Sequence, residues 1–430
     1  MVNCPIIIDP ERDDFRSLSE HILSCAKARG FYAEQDPFGN VLVRKPASGR
    51  PEGCCLLHGY TLPAASIMAA VLQDTSHALP ELEILFTKRD KNDRTSAWDF
   101  DMSKLKSKHM INLDAPGEEA IVSSCSGFAR LQFETTIHHV EPAANAIPVN
   151  VRIFGLTGGN SATEIQKGNA NAIKLMGEFL FDWYNFSIDT QLVGIWSDAL
   201  TNTIPNECYA KLWIRQDLRE NLDRGAWWFG EDLSKRFPHS DPYAEIQVTY
   251  PMIDRSDRTW SPMSVDETGR ILSFLNLCPV GMINRRQDHF DEVETSCNLH
   301  KVDTLEDRWN LSATVRSFDD DQKDALRDKY ELLAELNRID FISIGDFPCW
   351  NHKNVSDLQR RYEEAYQSCL GKTVSVIGLH EEQEPILFVR AIPELEAISI
   401  GVNHKDGWPD EESAQRILTV LYSLLEGRTA

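Results

Sequence analysis

The chain has 430 residues, 42% hydrophobic and 26% charged, a globular balance too long for one simple core. Sixty-six acidic against 44 basic side chains leave a net charge of −22, which repels phosphate backbones and acidic lipid and argues against nucleic acid or a membrane surface as partner. No apolar run approaches the roughly 18 residues that span a bilayer. The opening MVNCPIIIDPERDD lacks the basic start and cleavage site of a signal peptide. Ten cysteines at irregular spacing, none in a C-x-x-C pair, fit reduced thiols in a cytoplasm rather than a disulfide framework or a structural zinc site.

In chain order, apolar spacing predicts a helix over Ser17 to Arg29, stopped at Gly30. Strands follow at Asn40 to Val43 and Cys54 to Leu57, then a helix at Ala64 to Leu72 and strands at Leu82 to Thr87 and Met110 to Leu113. The pattern changes from Phe128 to Gly345. Strands at Ala129 to Thr136 and Val149 to Phe154 precede a helix predicted over Ala162 to Trp183, and a strand and charged helix occupy Leu311 to Leu336. The remainder reads as a helix, strands at Val374 to Gly378 and Ala397 to Gly401, and an amphipathic helix at Ser413 to Leu425. The expected fold class is α/β, with active-site loops at strand ends.

Seven strings occur in one order: DPFGNVLVRKPAS, LEILFT, INLDAPGEE, GLTGGNSATEIQKGNANAIKL, TSCNLHKV, GDFPCW and AIPELEAISIG. From about Ser17 to the carboxyl terminus the chain resembles the Xaa-His (aminoacyl-histidine) dipeptidase branch of the aminoacylase and carboxypeptidase G metallopeptidase family. That resemblance implies an α/β catalytic domain holding two bridged zinc ions (1–127 and 346–430) and an inserted α+β lid domain (128–345) that supplies a homodimer contact.

The family's metal motifs are altered here. Where G-H-x-D supplies a histidine and an aspartate, the strand reads Leu57-His58-Gly59-Tyr60-Thr61: the histidine position falls on Tyr60, the aspartate is missing, and His58 reads as a rim histidine facing the same way. The bridging aspartate's motif has become Thr61-Leu62-Pro63-Ala64-Ala65-Ser66. After Leu85-Phe86-Thr87, the general-base position carries Asp90 and the ligand position Lys91, whose ammonium repels a dication. Asp114, in Asn112-Leu113-Asp114, is retained, whereas the last histidine position falls on Trp408, four residues after His404. Asn160 stands in Gly158-Gly159-Asn160-Ser161 where the family's lid histidine polarises the scissile carbonyl; it donates a hydrogen bond but carries no charge.

The pocket positions are better kept. By resemblance, Asn298 and Arg316 grip a ligand carboxylate or amide; Arg316 reads equally as a surface ion pair with the acidic run that follows it. His380 and Glu384 match a substrate-side loop whose middle has become Glu381-Glu382-Gln383, and Trp350 matches a packing position. No G-x-S-x-G elbow or Cys/His pairing marks a covalent hydrolase. Three readings follow. The first is a divergent protein lacking the two-zinc centre and any other cofactor, binding an amino-acid or peptide-like molecule, with metal-independent chemistry on Lys91, Asp90 and Asp114. The second is a non-catalytic scaffold or regulator. The third is a mononuclear metallopeptidase using His58, Asp90, Asp114, His404 and Glu118 or Glu119.

Overall fold

A computed structural model of the chain describes residues 15–88, 95–286, 292–350, 355–405 and 408–427. The first elements are α1 (Phe15–Ala28), β1 (Tyr32–Gln35), β2 (Val41–Lys45), β3 (Gly49–Gly59), α2 (Leu62–Gln73), β4 (Leu79–Phe86), β5 (His109–Asn112) and β6 (Ala120–Cys125). The middle of the chain forms β7 (Gly127–Thr136), β8 (Ala146–Phe154), β9 (Gly159–Asn160), α3 (Ala172–Phe186), β10 (Gln191–Asp198), β11 (Thr203–Ile204) and β12 (Cys208–Arg215). It continues with α4 (Arg219–Arg236), β13 (Glu245–Thr249), α5 (Val265–Leu277), β14 (Gly281–Arg285), β15 (Val293–Leu305), β16 (Arg308–Ser317), α6 (Asp320–Leu336) and β17 (Asp340–Phe347). The last part holds α7 (Asp357–Leu370), β18 (Ser375–Leu379), α8 (Pro385–Ala391), β19 (Glu396–Ser399), β20 (His404–Lys405), β21 (Trp408–Pro409) and α9 (Glu411–Glu426).

Two compact units result: Met1–Cys125, Trp350–Leu379 and Gln383–Ala430 form unit 1, while Ser126–Cys349 with His380–Glu382 form unit 2. Unit 1 is an eight-stranded sheet in the order β1-β2-β4-β3-β5-β19-β6-β18. Its centre is parallel: β3 pairs β4 and β5, and β19 pairs β5. Buried β-branched and leucine side chains fill these strands on both faces, as a covered parallel sheet requires. Helix α2 is buried from Leu62 to Leu72 apart from Ser66. Thr61 caps its start, and Lys45 closes its end by donating to the Val71 carbonyl at 2.6 Å and the Asp74 carbonyl at 2.8 Å. Close packing at the strand ends excludes side chains: a Cβ at Gly401 would stand 1.6 Å from the Ala115 carbonyl oxygen, and one at Gly59 would stand 2.4 Å from the Ala64 Cβ.

Unit 2 is a nine-stranded sheet in the order β13-β8-β12-β10-β15-β16-β7-β17, with β14 added on β15. One face carries the core, where Ala129, Leu131, Phe133, Ala313 and Val315 meet α3, α5 and α6. The helix predicted from Ala162 begins ten residues later. Gly168 adopts the left-handed conformation (φ +72°) after a single short turn, and Asn171 then caps α3 by accepting from the Ile173 and Lys174 amides at 3.0 and 3.1 Å. Among the described residues, no helix is long and apolar enough to cross a membrane.

Candidate functional site

In unit 1 the carboxyl ends of β3, β4, β5 and β19 bring His58, Thr87, Asn112 and Ser399 together, the edge of an open parallel sheet where ligands bind. His58 is not on a rim. It is fully buried, with Nδ1 2.9 Å from Asn112 Oδ1 and Nε2 3.1 Å from both Thr87 Oγ1 and Glu384 Oε2. Asn112 donates its amide to Ser399 Oγ at 2.9 Å, so its oxygen faces His58 and accepts the Nδ1 proton. Thr87 donates to Glu384 Oε2 at 2.8 Å, leaving its oxygen to accept from Nε2. Both ring nitrogens are therefore donors, and the ring is an imidazolium facing a carboxylate. Burial alone would lower the His58 pKa, but the Glu384 bond and charge overcome it and raise it. Burial likewise opposes ionisation of Glu384, yet the His58 bond holds its pKa below the ordinary value.

Asp114 lies beside this pair with both oxygens engaged. Oδ2 accepts the Tyr60 amide at 3.0 Å; Oδ1 accepts the Thr61 amide at 3.1 Å and the Thr61 hydroxyl at 2.6 Å. It thereby pins the chain where α2 begins, a favourable place for a negative charge. Burial is the main cause that pushes its pKa up to about 6, against the His58 charge and the Thr61 bonds. Tyr60, a ligand-side candidate because it stands at the family's histidine position, meets Asp114 through its backbone N–H.

The other candidate ligands of unit 1 do not join this group. His404 is exposed on β20 and Trp408 exposed on β21, the two strands pairing with each other. Glu118 is buried and held by Arg416 Nε at 3.1 and 3.0 Å, and Glu119 lies 4.0 Å from Lys372. Among the described residues, no three His, Cys, Asp or Glu side chains converge on a point suited to a cation. Asp90 and Lys91 lie outside the described residues. One Cys/His contact does exist: Cys25 Sγ stands 3.8 Å from His21 Nε2 within α1, where burial and the Gln73 amide at 3.3 Å also hold the thiol.

In unit 2, Arg316 is buried rather than on a surface. Its Nη1 donates to Glu382 at 2.8 Å and its Nη2 to Asn202 Oδ1 at 3.1 Å, so the acidic run after it is not its partner. His380 Nε2 lies 2.7 Å from Ser296 Oγ. Burial first, and the Arg316 charge second, push His380 down to about 3, so the ring is neutral. Asn298 is buried and already engaged: its amide donates to the Thr203 carbonyl at 2.8 Å, and its oxygen accepts from Asn171 at 3.0 Å. It ties β11 to the start of α3. Asn160 sits exposed on β9 opposite Thr203, its side-chain oxygen accepting the Ala162 amide at 2.8 Å, which leaves its N–H donors outward. Asn202 and Glu382 were not singled out from the sequence; Asn202 has a positive φ (66°), a conformation that asparagine tolerates better than most residues.

No family model matches the chain. Along 464 aligned residues it is 25% identical to the cytosol non-specific dipeptidase of Escherichia coli (strain K12), covering 95% of this chain and 93% of that protein. The crystal structure of aminoacylhistidine dipeptidase from Vibrio alginolyticus superposes with a TM-score of 0.82 at 21% identity, covering 96% of this chain and 92% of that one. Aminopeptidase PepT from Bacillus cereus ATCC 10987 matches with a TM-score of 0.51 at 10% identity, covering 96% and 91%. The fold class is thus α/β, the fold of the aminoacylhistidine dipeptidase, with an α+β unit inserted into an α/β one.

Proposed function

Because the chain is a PepD-like dipeptidase-family protein, we propose that it binds a small amino-acid or peptide-like molecule and does so without a paired-zinc centre. The observation that carries this reading is Asp114: the retained ligand position spends both oxygens on the Tyr60 and Thr61 groups that open α2. Tyr60 and Trp408 in place of two histidines point the same way, since neither offers an imidazole to zinc. The mononuclear alternative is weakened by the same geometry, because His58 and Glu118 are committed to Glu384 and Arg416. By their motif positions, any remaining chemistry in unit 1 falls to Lys91, Asp90 and Asp114. A cytosolic setting fits the name of the Escherichia coli relative.

Hydrolysis of Xaa-His dipeptides by the full chain, with and without a chelator, tests this. The expected result is no turnover, or turnover that the chelator leaves unchanged and Lys91→Ala abolishes. Chelator-sensitive hydrolysis restored by zinc would contradict it.

A homodimer through unit 2 belongs to the same proposal. Trp227 and Trp228 stand 57% and 62% exposed on α4, which packs beside β13, the edge strand of the sheet. Exposed aromatics next to an open strand edge suit a second copy of the chain. Light scattering should give twice the chain mass, falling to one in Trp227→Asp/Trp228→Asp; a wild-type monomer at micromolar concentration would refute the contact.

A further inference from the structure

Strands β7, β15 and β16 of unit 2 carry five buried polar atoms that have no hydrogen-bond partner among the described residues, among them Arg130 Nε, His300 Nδ1 and Thr314 Oγ1. Thr314 lies directly opposite Arg130 in one ladder and opposite Asn298 in the next, and Arg316 lies opposite Phe128. Side chains alternate along a strand, so these residues share the face turned away from Ala129, Leu131, Ala313 and Val315, which enter the core. Phe128 organises the group. The guanidinium carbon of Arg130 is 4.9 Å from its ring centre and that of Arg316 is 5.4 Å, which puts the two cations within about 10 Å of each other.

The two arginines differ in one respect. Glu382 answers the charge of Arg316, whereas no carboxylate among the described residues pairs with Arg130. Burial, and then the charges of Arg130 and Lys301, keep His300 neutral, so it adds a polar group without a competing charge. Each unmatched buried donor costs roughly 1–3 kcal/mol. Clustered beside a cation that no carboxylate among the described residues answers, they suit an acceptor on a bound molecule.

We propose that Arg130, His300 and Thr314 form a carboxylate subsite beside the Arg316–Glu382 pair, which makes acidic peptide-like molecules the preferred ligand class. This rests on the reading that the protein binds a peptide-like molecule. Arg130, only partly buried, would meet the carboxylate through its guanidinium, with Thr314 and His300 on the strands beside it.

Isothermal titration of the full chain with L-glutamyl-L-histidine and its neutral isostere L-glutaminyl-L-histidine, with glutarate as a third probe, tests the assignment. The glutamyl peptide should bind about tenfold or more tightly than the glutaminyl one, the size of one charge-assisted hydrogen bond. Arg130→Gln should bring the two affinities together, and Arg130→Lys should keep part of the difference. Equal affinities in the wild type, or a preference that survives in a folded Arg130→Gln protein, would overturn the subsite. Should neither dipeptide bind while glutarate binds in an Arg130-dependent way, the peptide reading fails and the subsite stands. If glutarate is not bound either, the subsite fails with it.

Discussion

Replacing Glu384 by alanine is expected to destabilise unit 1 by about 3–5 kcal/mol, the usual result of leaving one member of a buried ion pair behind. His58 is fully buried and donates from both nitrogens, so without Glu384 it must either keep an uncompensated charge or lose a proton and one of its bonds. The effect has a pH signature. His58 has a raised pKa, so its contribution is complete below its ordinary value of 6.5 and is lost as pH rises through the folded value. Glu384 has a lowered pKa, so its contribution is present above its ordinary value of 4.5 and is lost as pH falls through the folded one. The difference between wild type and Glu384→Ala, measured by urea unfolding, should therefore peak between those two values and shrink on either side. A difference that is small and flat with pH would mean that the ring is neutral and the pair is not ionic. Asp114 runs opposite to Glu384, because its folded pKa of about 6 exceeds its ordinary 3.8: its ionisation weakens the fold as pH rises across that interval.

Arg316→Met should cost about 3 kcal/mol by the same logic, because the buried Glu382 carboxylate loses its guanidinium. The companion change Glu382→Met on that background should return most of the loss, since two apolar side chains of similar bulk replace a pair whose desolvation was expensive. Urea unfolding of the two single variants and the double variant gives the coupling directly. A single-variant loss under about 0.5 kcal/mol, the range of ordinary surface changes, would show that Arg316 behaves as an exposed residue.

How far the amino-acid order disclosed this molecule depends on the range of the interactions involved. Helices α1 and α9 and the strands ending at Asn112 and Ser399 were legible because apolar spacing and caps are local signals. Helix α4 was missed: only Leu222, Ala226 and Leu233 of its 18 residues are buried, too narrow a stripe to register against its exposed tryptophans. Helix α5 carries one local signal, the capping box in which Ser264 and Glu267 satisfy each other's backbone amides.

The candidate site divides the same way. Asp114, Arg316, His380 and Glu384 each stood out by motif position, but their partners did not. Thr87 and Glu384 are 297 positions apart, and no local pattern says that they meet, or that His58 bonds to both. The expectation of a rim histidine failed because a two-residue offset along β3 fixes the side-chain face but not its depth.

On the proposed reading, Asp114 and its neighbours serve the fold and hold no pair of zinc ions. An anomalous difference map from crystals of the full chain soaked in zinc, recorded at the zinc absorption edge, tests it most directly. The expected map has no paired peaks beside Asp114, whose contacts to Tyr60 and Thr61 stay intact. Two fully occupied peaks there, roughly 3.5–4 Å apart as in a two-metal hydrolase, would contradict it.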